Sequence, residues 1–203
     1  MSGETLFFEI QQHLLNDEKP SLYLEQVSKT TPFREPPFSM LLRLEKTEQS
    51  PVHHPEGNVW NHTMLVVDEA AARRGESKAP AAFLWAALLH DIGKPDTTRV
   101  RRGKITAYGH DATGAALAER FLSAFVTEEA FIRAVSMLVR YHMHLLYFLK
   151  NLPFGDFSAL RRETDAEEIA LLCLCDRLGR LDPDRTAEEQ NRQTFLKKIK
   201  AEA

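Results

Sequence analysis

Apolar residues recur at three- and four-residue steps along most of this chain, the spacing of one face of an α-helix. Leu6, Phe7, Ile10, Leu14 and Leu15 mark one short amphipathic helix at the N-terminal edge, and Met40, Leu41 and Leu44 mark a second after Pro36-Pro37 closes the preceding segment. The proline-rich break 31–37 is short and is bracketed by Phe33 and Phe38, which predicts packing on the same body rather than a linker. A further helix is expected from near Trp60 to about Arg74, with Met64, Val67 and Ala71 along one side and Gly75 as its stop. Residues 79–91 are apolar almost all round, through Phe83, Leu84, Trp85, Leu88 and Leu89, the mark of a buried central helix ended by Gly93 and Pro95. A polar loop 96–109 leads to a small-residue-rich helix from Asp111 to about Phe125. Thr127 then caps a helix through Phe131, Val135, Leu138 and His142. After a loop at 153–157, Asp165 opens a helix through Ile169, Leu172 and Asp176, and Thr186 caps a terminal amphipathic helix ending in Lys197, Lys198 and Lys200. No segment alternates for long enough to predict a sheet. The expectation is an all-α helical bundle in one domain: 1–50 an N-terminal helical extension packed on the core, 51–181 the core, 182–203 a terminal helix.

Composition narrows the setting. The net charge of −3, from 26 basic and 29 acidic side chains among 203 residues, argues against a strongly basic nucleic-acid-binding chain. No stretch approaches the roughly 20 apolar residues that span a bilayer, and Met1 to Glu9 carries acidic residues but no basic region of an export signal. Cys173 and Cys175, two residues apart, fall on different faces of a helix, so a disulfide scaffold is excluded and a reducing cytoplasm is the expected setting. Histidine is the unusual entry in the composition: eight, of which seven lie between His53 and His144.

An apolar core does not need that many imidazoles. His90-Asp91 closes the most hydrophobic helix, where a carboxylate is costly to bury unless a cation, a metal or several donors compensate it. Asp176 poses the same problem within Leu171-Leu172-Cys173-Leu174-Cys175. Taken one at a time, each aspartate is as readily an ion-pair partner or a helix cap. Together with His62 and His90, they form a nitrogen and oxygen set suited to divalent iron, manganese, cobalt, nickel or zinc. Adjacent helical residues diverge by about 100°, so His90 and Asp91 grip one ion most easily at a helix end.

His62, His90-Asp91 within ALLHDIGKP, and Asp176 resemble the signature of the HD-domain metal-dependent phosphohydrolases of the HDIG type, over roughly residues 51–181. The segments HHPEGNVWNHTMLVVDEAA (53–71), YGHDATGA (108–115) and VRYHMH (139–144) are similar to the HD domain appended to bacterial tRNA nucleotidyltransferases, the CCA-adding enzymes. The chain leaves no length for their polymerase head and shows no paired-acid motif for it, so nucleotide addition is not implied. Asn58 stands where that family usually has an acidic residue. The resemblance implies an HD-domain helical bundle holding one or two divalent ions (Fe, Mn, Ni, Co, Mg or Zn), with Asp91 bridging, His62, His90 and Asp176 completing the first site, and His110 and His142 holding a second. One metal with His110 and His142 in contact with substrate or water is the other reading.

The expected activity is hydrolysis of a phosphomonoester or phosphodiester of a phosphorylated small molecule, a nucleotide or an RNA end by metal-activated water, with Asp91, Lys94 and His110 as the catalytic candidates. The resemblance implies 2′,3′-cyclic phosphodiesterase, 2′-nucleotidase and phosphatase chemistry. Candidate substrate contacts are Lys94 as a point charge after the metal pair, His54, Arg99 of the basic loop with Arg101, Arg102 and Lys104, and Arg140 and Arg177 beside presumed ligands. For Lys94 and the loop the bland alternative is plain solvation, and for His54 a packed turn residue. Residues i and i+2 of a helix face apart, so only one of His142 and His144 reaches a common centre; His142 is chosen, and His144 is expected at the surface or the substrate rim. His13 and His53 need no metal. No residue has the surroundings of a covalent nucleophile. The alternative to an enzyme is a non-catalytic nucleotide- or RNA-binding HD module; no membrane partner is expected.

Overall fold

The computed structural model describes residues 2–201; Met1, Glu202 and Ala203, the ends of the expected first and last segments, lie outside the described residues. Its organising element is α6 (Pro80–Leu89), whose residues Phe83 to Leu89 are all fully buried. Pro80 suits the first turn because its missing N–H is one that a helix start leaves unpaired anyway. With no polar face to offer solvent, α6 is enclosed on all sides by α1 (Gly3–Asn16), α5 (Val59–Ala72), α9 (Glu129–Tyr141) and α12 (Ala166–Leu178). Phe7 of α1 stacks on Trp85 at 4.4 Å between ring centres.

The N-terminal part is more helical than its periodicity suggests. Between α1 and α5 come α2 (Pro20–Val27), α3 (Thr31–Arg34), α4 (Ser39–Leu42) and a 3₁₀ turn, Arg43–Lys46. The proline-rich break thus contains α3 and a cis Pro36-Pro37 bond. Phe33 and Phe38 are fully buried; Phe33 meets Trp60, and Phe38 meets Phe121 of α8 (His110–Leu122) edge-on at 5.3 Å. Beyond α9 the chain forms α10 (His144–Leu149), α11 (Phe157–Glu163), α12 and α13 (Arg185–Ala201), the last packed on α12 and α10 through Phe195 and Ile199. The short helices α2, α10 and α11 were not anticipated, since six to eight residues give periodicity little room to show.

Caps explain several boundaries and correct two. Asn58 Oδ1 accepts the Asn61 N–H at 2.9 Å and starts α5, so the residue that departs from the family pattern is a helix cap. Asp165 accepts from the N–H groups of Glu167 and Glu168, as expected. Thr127 does not cap α9, because Glu128 occupies the cap position with no side-chain bond. Thr186 lies inside α13, and Asp184, ahead of the helix, receives the Ala187 N–H at 3.0 Å instead.

The expected loop after Asp96 also departs from expectation. α7 (Lys94–Thr97) is followed by a two-stranded antiparallel hairpin, β1 (Arg99–Arg101) and β2 (Lys104–Thr106), in register Arg99–Thr106, Val100–Ile105 and Arg101–Lys104. Arg102 and Gly103 both have positive φ (50° and 74°), as the tight two-residue hairpin turn requires. Three-residue strands are too short to show alternation. The all-α fold carries this hairpin as its one sheet among the described residues.

Candidate metal centre

Five helix ends meet around one carboxylate. His62 lies in the first turns of α5; His90-Asp91 follow α6 directly; His110 begins α8; His142 follows α9; Asp176 lies in the last turn of α12. The turn after α6 is held by Gly93, where an added Cβ would lie 2.2 Å from the His110 carbonyl oxygen and 2.6 Å from the Gly114 nitrogen. That backbone contact between the HDIG turn and the start of α8 sets His110 against Asp91.

The histidines share one arrangement. Nδ1 of His90, His110 and His142 each donates to the carbonyl three residues back, Ala87, Ala107 and Val139, at 2.8, 2.7 and 2.7 Å. His62 Nδ1 donates to the Gly179 carbonyl at 3.1 Å and lies 2.9 Å from Glu56 Oε1. With the proton fixed on Nδ1, each ring turns Nε2 inward, the orientation that an outer carbonyl or carboxylate imposes on a metal-ligating imidazole. The four Nε2 atoms lie 3.2 Å (His90), 3.5 Å (His110), 3.8 Å (His142) and 4.0 Å (His62) from an Asp91 oxygen. His62 Nε2 is also 3.0 Å from Asp176 Oδ1. His110 and His142 Nε2 face each other at 3.2 Å.

That geometry is costly without a cation. His62, His90, Asp91 and His142 are buried, and His90 Nε2 and both Asp91 carboxylate oxygens have no hydrogen-bond partner. Burial opposes ionisation of Asp91, yet His90 and Lys94 beside it hold its pKa well below the usual carboxylate range. Burial likewise opposes ionisation of Asp176, which the His62 bond and the Arg180 charge hold low. His62 keeps a raised pKa, its burial outweighed by Asp176 and Glu56. His110 is lowered by burial, and His142 is lowered to about 4 by burial and the neighbouring His110 and His90 rings. The donors fall into two groups that share Asp91: His62, His90 and Asp91, and Asp91, His110 and His142. Buried nitrogen and oxygen donors aimed at one space, with His90 Nε2 and the Asp91 oxygens short of hydrogen bonds and Lys94 the one cation beside Asp91 among the described residues, fit divalent metal.

The HD-domain family model matches residues 59–181, from the start of α5 to just past α12. This chain is an HD-domain protein. The HD superfamily is one of metal-dependent phosphohydrolases, and its domains bind divalent metals. Among curated relatives, the Multifunctional CCA protein of Actinobacillus pleuropneumoniae serotype 5b (strain L20) is 29% identical over 190 residues, 89% of this chain and 44% of that protein. The proteins of the same name from Halorhodospira halophila and Aromatoleum aromaticum are 32% and 36% identical over 138 and 146 residues, covering 32% and 34% of their lengths. The HD-domain chain spans less than half the length of these relatives. No helix among its described residues is long and apolar enough to cross a membrane.

Around the HD centre, the other sequence candidates divide. Lys94 Nζ is 2.7 Å from Asp91 Oδ2 and also donates to Gln49 Oε1, with 12% of its side chain exposed. His54, 14% exposed, lies at the rim with Nδ1 2.8 Å from Glu56 Oε1 and its ring edge-on to His62. Arg99 is exposed on β1 and its guanidinium donates to the Thr98 carbonyl. Neither Arg140 nor Arg177 ion-pairs with the carboxylates of the centre: Arg140 binds Asp111 at 2.8 Å, joining α8 to α9, and Arg177 binds Glu188 of α13. One residue past Asp176 is about 100° round the helix, which turns Arg177 away. His144 is buried, contrary to expectation, with Nε2 accepting the Asp156 N–H at 3.2 Å.

Three residues at the centre escaped sequence reasoning. Glu56, its side chain 2% exposed, places Oε1 on both His54 and His62; burial opposes its ionisation, but those contacts hold its pKa low. Gln49 receives Lys94. Arg180 buries an Nε that has no acceptor and acts electrostatically on Asp176 and His54. Arg180 lies past the end of α12, where helical spacing gives no signal, and Glu56, one acid among many in a loop, offered none.

Proposed function

We propose that this chain is a metal-dependent phosphohydrolase that cleaves a phosphomonoester or phosphodiester of a nucleotide or an RNA end. The observation that carries the reading is the convergence of four imidazole Nε2 atoms, each with Nδ1 already committed, on a buried Asp91 whose oxygens lack hydrogen-bond partners. Asp91 bridges two donor groups, His62, His90 and Asp176 on one side and His110 and His142 on the other. A divalent ion held by such donors supplies Lewis acidity, activating water and polarising a phosphoryl oxygen.

The protein's own groups do the rest. Carbonyls hold the Nδ1 protons of His90, His110 and His142, so their Nε2 lone pairs face inward, while Glu56 and the Gly179 carbonyl orient His62 toward Asp176. Asp91 carries the negative charge that makes the site selective for a cation. Lys94 and Arg180, whose charges both reach His54, put positive charge beside the centre, where a substrate phosphate binds and the charge developing at phosphorus is stabilised. The relatives' name, Multifunctional CCA protein, supports a nucleotide or RNA substrate.

The test is metal analysis of purified protein beside turnover of chromogenic phosphomonoesters, phosphodiesters and 2′,3′-cyclic nucleotides with manganese, cobalt, nickel or magnesium. Asp91→Ala should lose both metal and turnover. Turnover retained in a metal-analysed Asp91→Ala sample refutes the mechanism, and tight nucleotide binding without turnover under any metal replaces it with a binding module.

A further inference from the structure

The hairpin that follows α7 carries four cations in six residues, Arg99, Arg101, Arg102 and Lys104, on a chain whose net charge is −3. All four are exposed. None has a carboxylate partner among the described residues, and the one hydrogen bond made by their side chains is that from Arg99 to Thr98. Some exposed cations elsewhere are paired, Lys78 with Asp165, Arg185 with Glu69 and Lys200 with Glu167, and those without an ion pair among the described residues, such as Lys19, Lys29 and Arg120, are scattered singly along the sequence.

Register concentrates the charge. Residues directly opposite in an antiparallel pair share a face, so Arg99, Arg101, Lys104 and Thr106 form one face, with Arg102 in the turn. Arg101 stands directly across from Lys104, a like-charge pair that destabilises a hairpin and that a bound polyanion would relieve. Tyr108, 70% exposed, follows β2 and offers a ring for base stacking. Both feet of the hairpin are tied to the metal centre, since Lys94 at the start of α7 touches Asp91 and the Ala107 carbonyl beyond β2 receives His110 Nδ1. Three residues per strand put the turn cations about 10 Å beyond those anchors.

We propose that this hairpin is a docking arm for the phosphate backbone of a single-stranded nucleic acid whose end enters the metal centre. The fate of that end rests on the phosphohydrolase reading; the docking does not. Four cations within six residues suit a few phosphates of one strand, with Tyr108 stacking a base.

The experiment is anisotropy titration of the full chain with labelled RNA and DNA oligonucleotides of about 12 nucleotides, within the site sizes of single-strand binders, from about 50 to 200 mM salt. Replacing Arg101, Arg102 and Lys104 together with alanine should make the slope of log affinity against log salt shallower by about 2, at about 0.7 per phosphate contact. Tyr108→Ala should weaken binding about tenfold with little change of slope. The charge-conserving pair R101K and R102K should keep the slope. RNA and DNA arms identify which strand is preferred, and binding of either that depends on the hairpin supports the arm. Equal slopes for wild type and the triple variant, loss of slope in the lysine variant, or hairpin-dependent binding to anionic vesicles with no oligonucleotide binding overturns it. Hydrolysis of a small chromogenic phosphodiester is read separately; its absence beside hairpin-dependent binding removes the catalytic reading and leaves this one.

Discussion

Glu56→Gln tests whether the centre is tuned from behind. The substitution is nearly isosteric at a side chain 2% exposed, so it changes charge with little change in volume. In the wild type, Glu56 Oε1 lies 2.8 Å from His54 Nδ1 and 2.9 Å from His62 Nδ1, and its negative charge makes His62 more basic at the nitrogen that faces Asp176 and Asp91. Removing such an outer carboxylate costs roughly 10- to 100-fold in metal affinity, or about 1.4 to 2.7 kcal/mol. The structure places this case at the lower end. The Gly179 carbonyl still accepts the Nδ1 proton at 3.1 Å, so the tautomer survives and only the charge is lost. That carbonyl is itself fixed by close packing on α5, where a Cβ on Gly179 would come within 2.4 Å of Val66 Cγ2. The expected result is an about tenfold weaker dissociation constant for manganese or nickel, measured by calorimetry on metal-stripped protein against a competing chelator. Urea unfolding in chelator provides the control. If Glu56 only packs the loop, the unfolding midpoint moves and the metal affinity stays within about twofold of wild type, and the reasoning fails.

Further predictions concern stability and geometry. His144 is buried, and burial lowers its pKa to about 4 from 6.5, so the unfolded chain binds a proton there that the folded chain refuses. The neutral ring's contribution is complete above pH 6.5 and is lost as pH falls toward 4. His144→Gln should therefore lose about 3 kcal/mol less than wild type between pH 7.5 and 4, by urea unfolding in chelator; parallel pH curves would contradict this. Gly93→Ala should force α8 away from the HDIG turn, costing about 1–3 kcal/mol and lowering metal stoichiometry through displacement of His110, whereas unchanged stability and stoichiometry would show that the contact yields freely. Loading stripped protein with metal at about 100 times the dissociation constant should add about 2.7 kcal/mol, roughly 5–10 °C in melting temperature for a chain of this length. A melting temperature unmoved by saturating manganese, cobalt, nickel or zinc would count against the donor set.

The central helix and the candidate donors were legible for different reasons. Residues 83–89 are apolar on every side, and only a fully enclosed helix tolerates that pattern, so periodicity located α6. Asp91 and Asp176 stood out because carboxylates beside apolar runs demand compensation, His62 and His90 completed a nitrogen and oxygen set with them, His110 and His142 came from the family resemblance, and the structure brings all six to one place. Illegible were the features that depend on where a helix stops. The i, i+2 argument correctly separated His144 from His142, yet facing away from the centre did not mean facing solvent: α9 ends at Tyr141, α10 begins at His144, and the ring is covered by Phe157 and the Asp156 backbone. Arg177 was chosen as the neighbour of Asp176, whereas the cation that acts on Asp176 is Arg180, beyond the end of α12. Glu56 reaches His62 through a loop turned by Gly57 at φ 105°, and no period crosses such a turn. The centre itself explains this division. Here the donors converge from the ends of five helices, and helix ends are also where periodicity falls silent. In a bundle of this kind, the residues that bind are found by their chemistry, and the residues that aim them are found only in the fold.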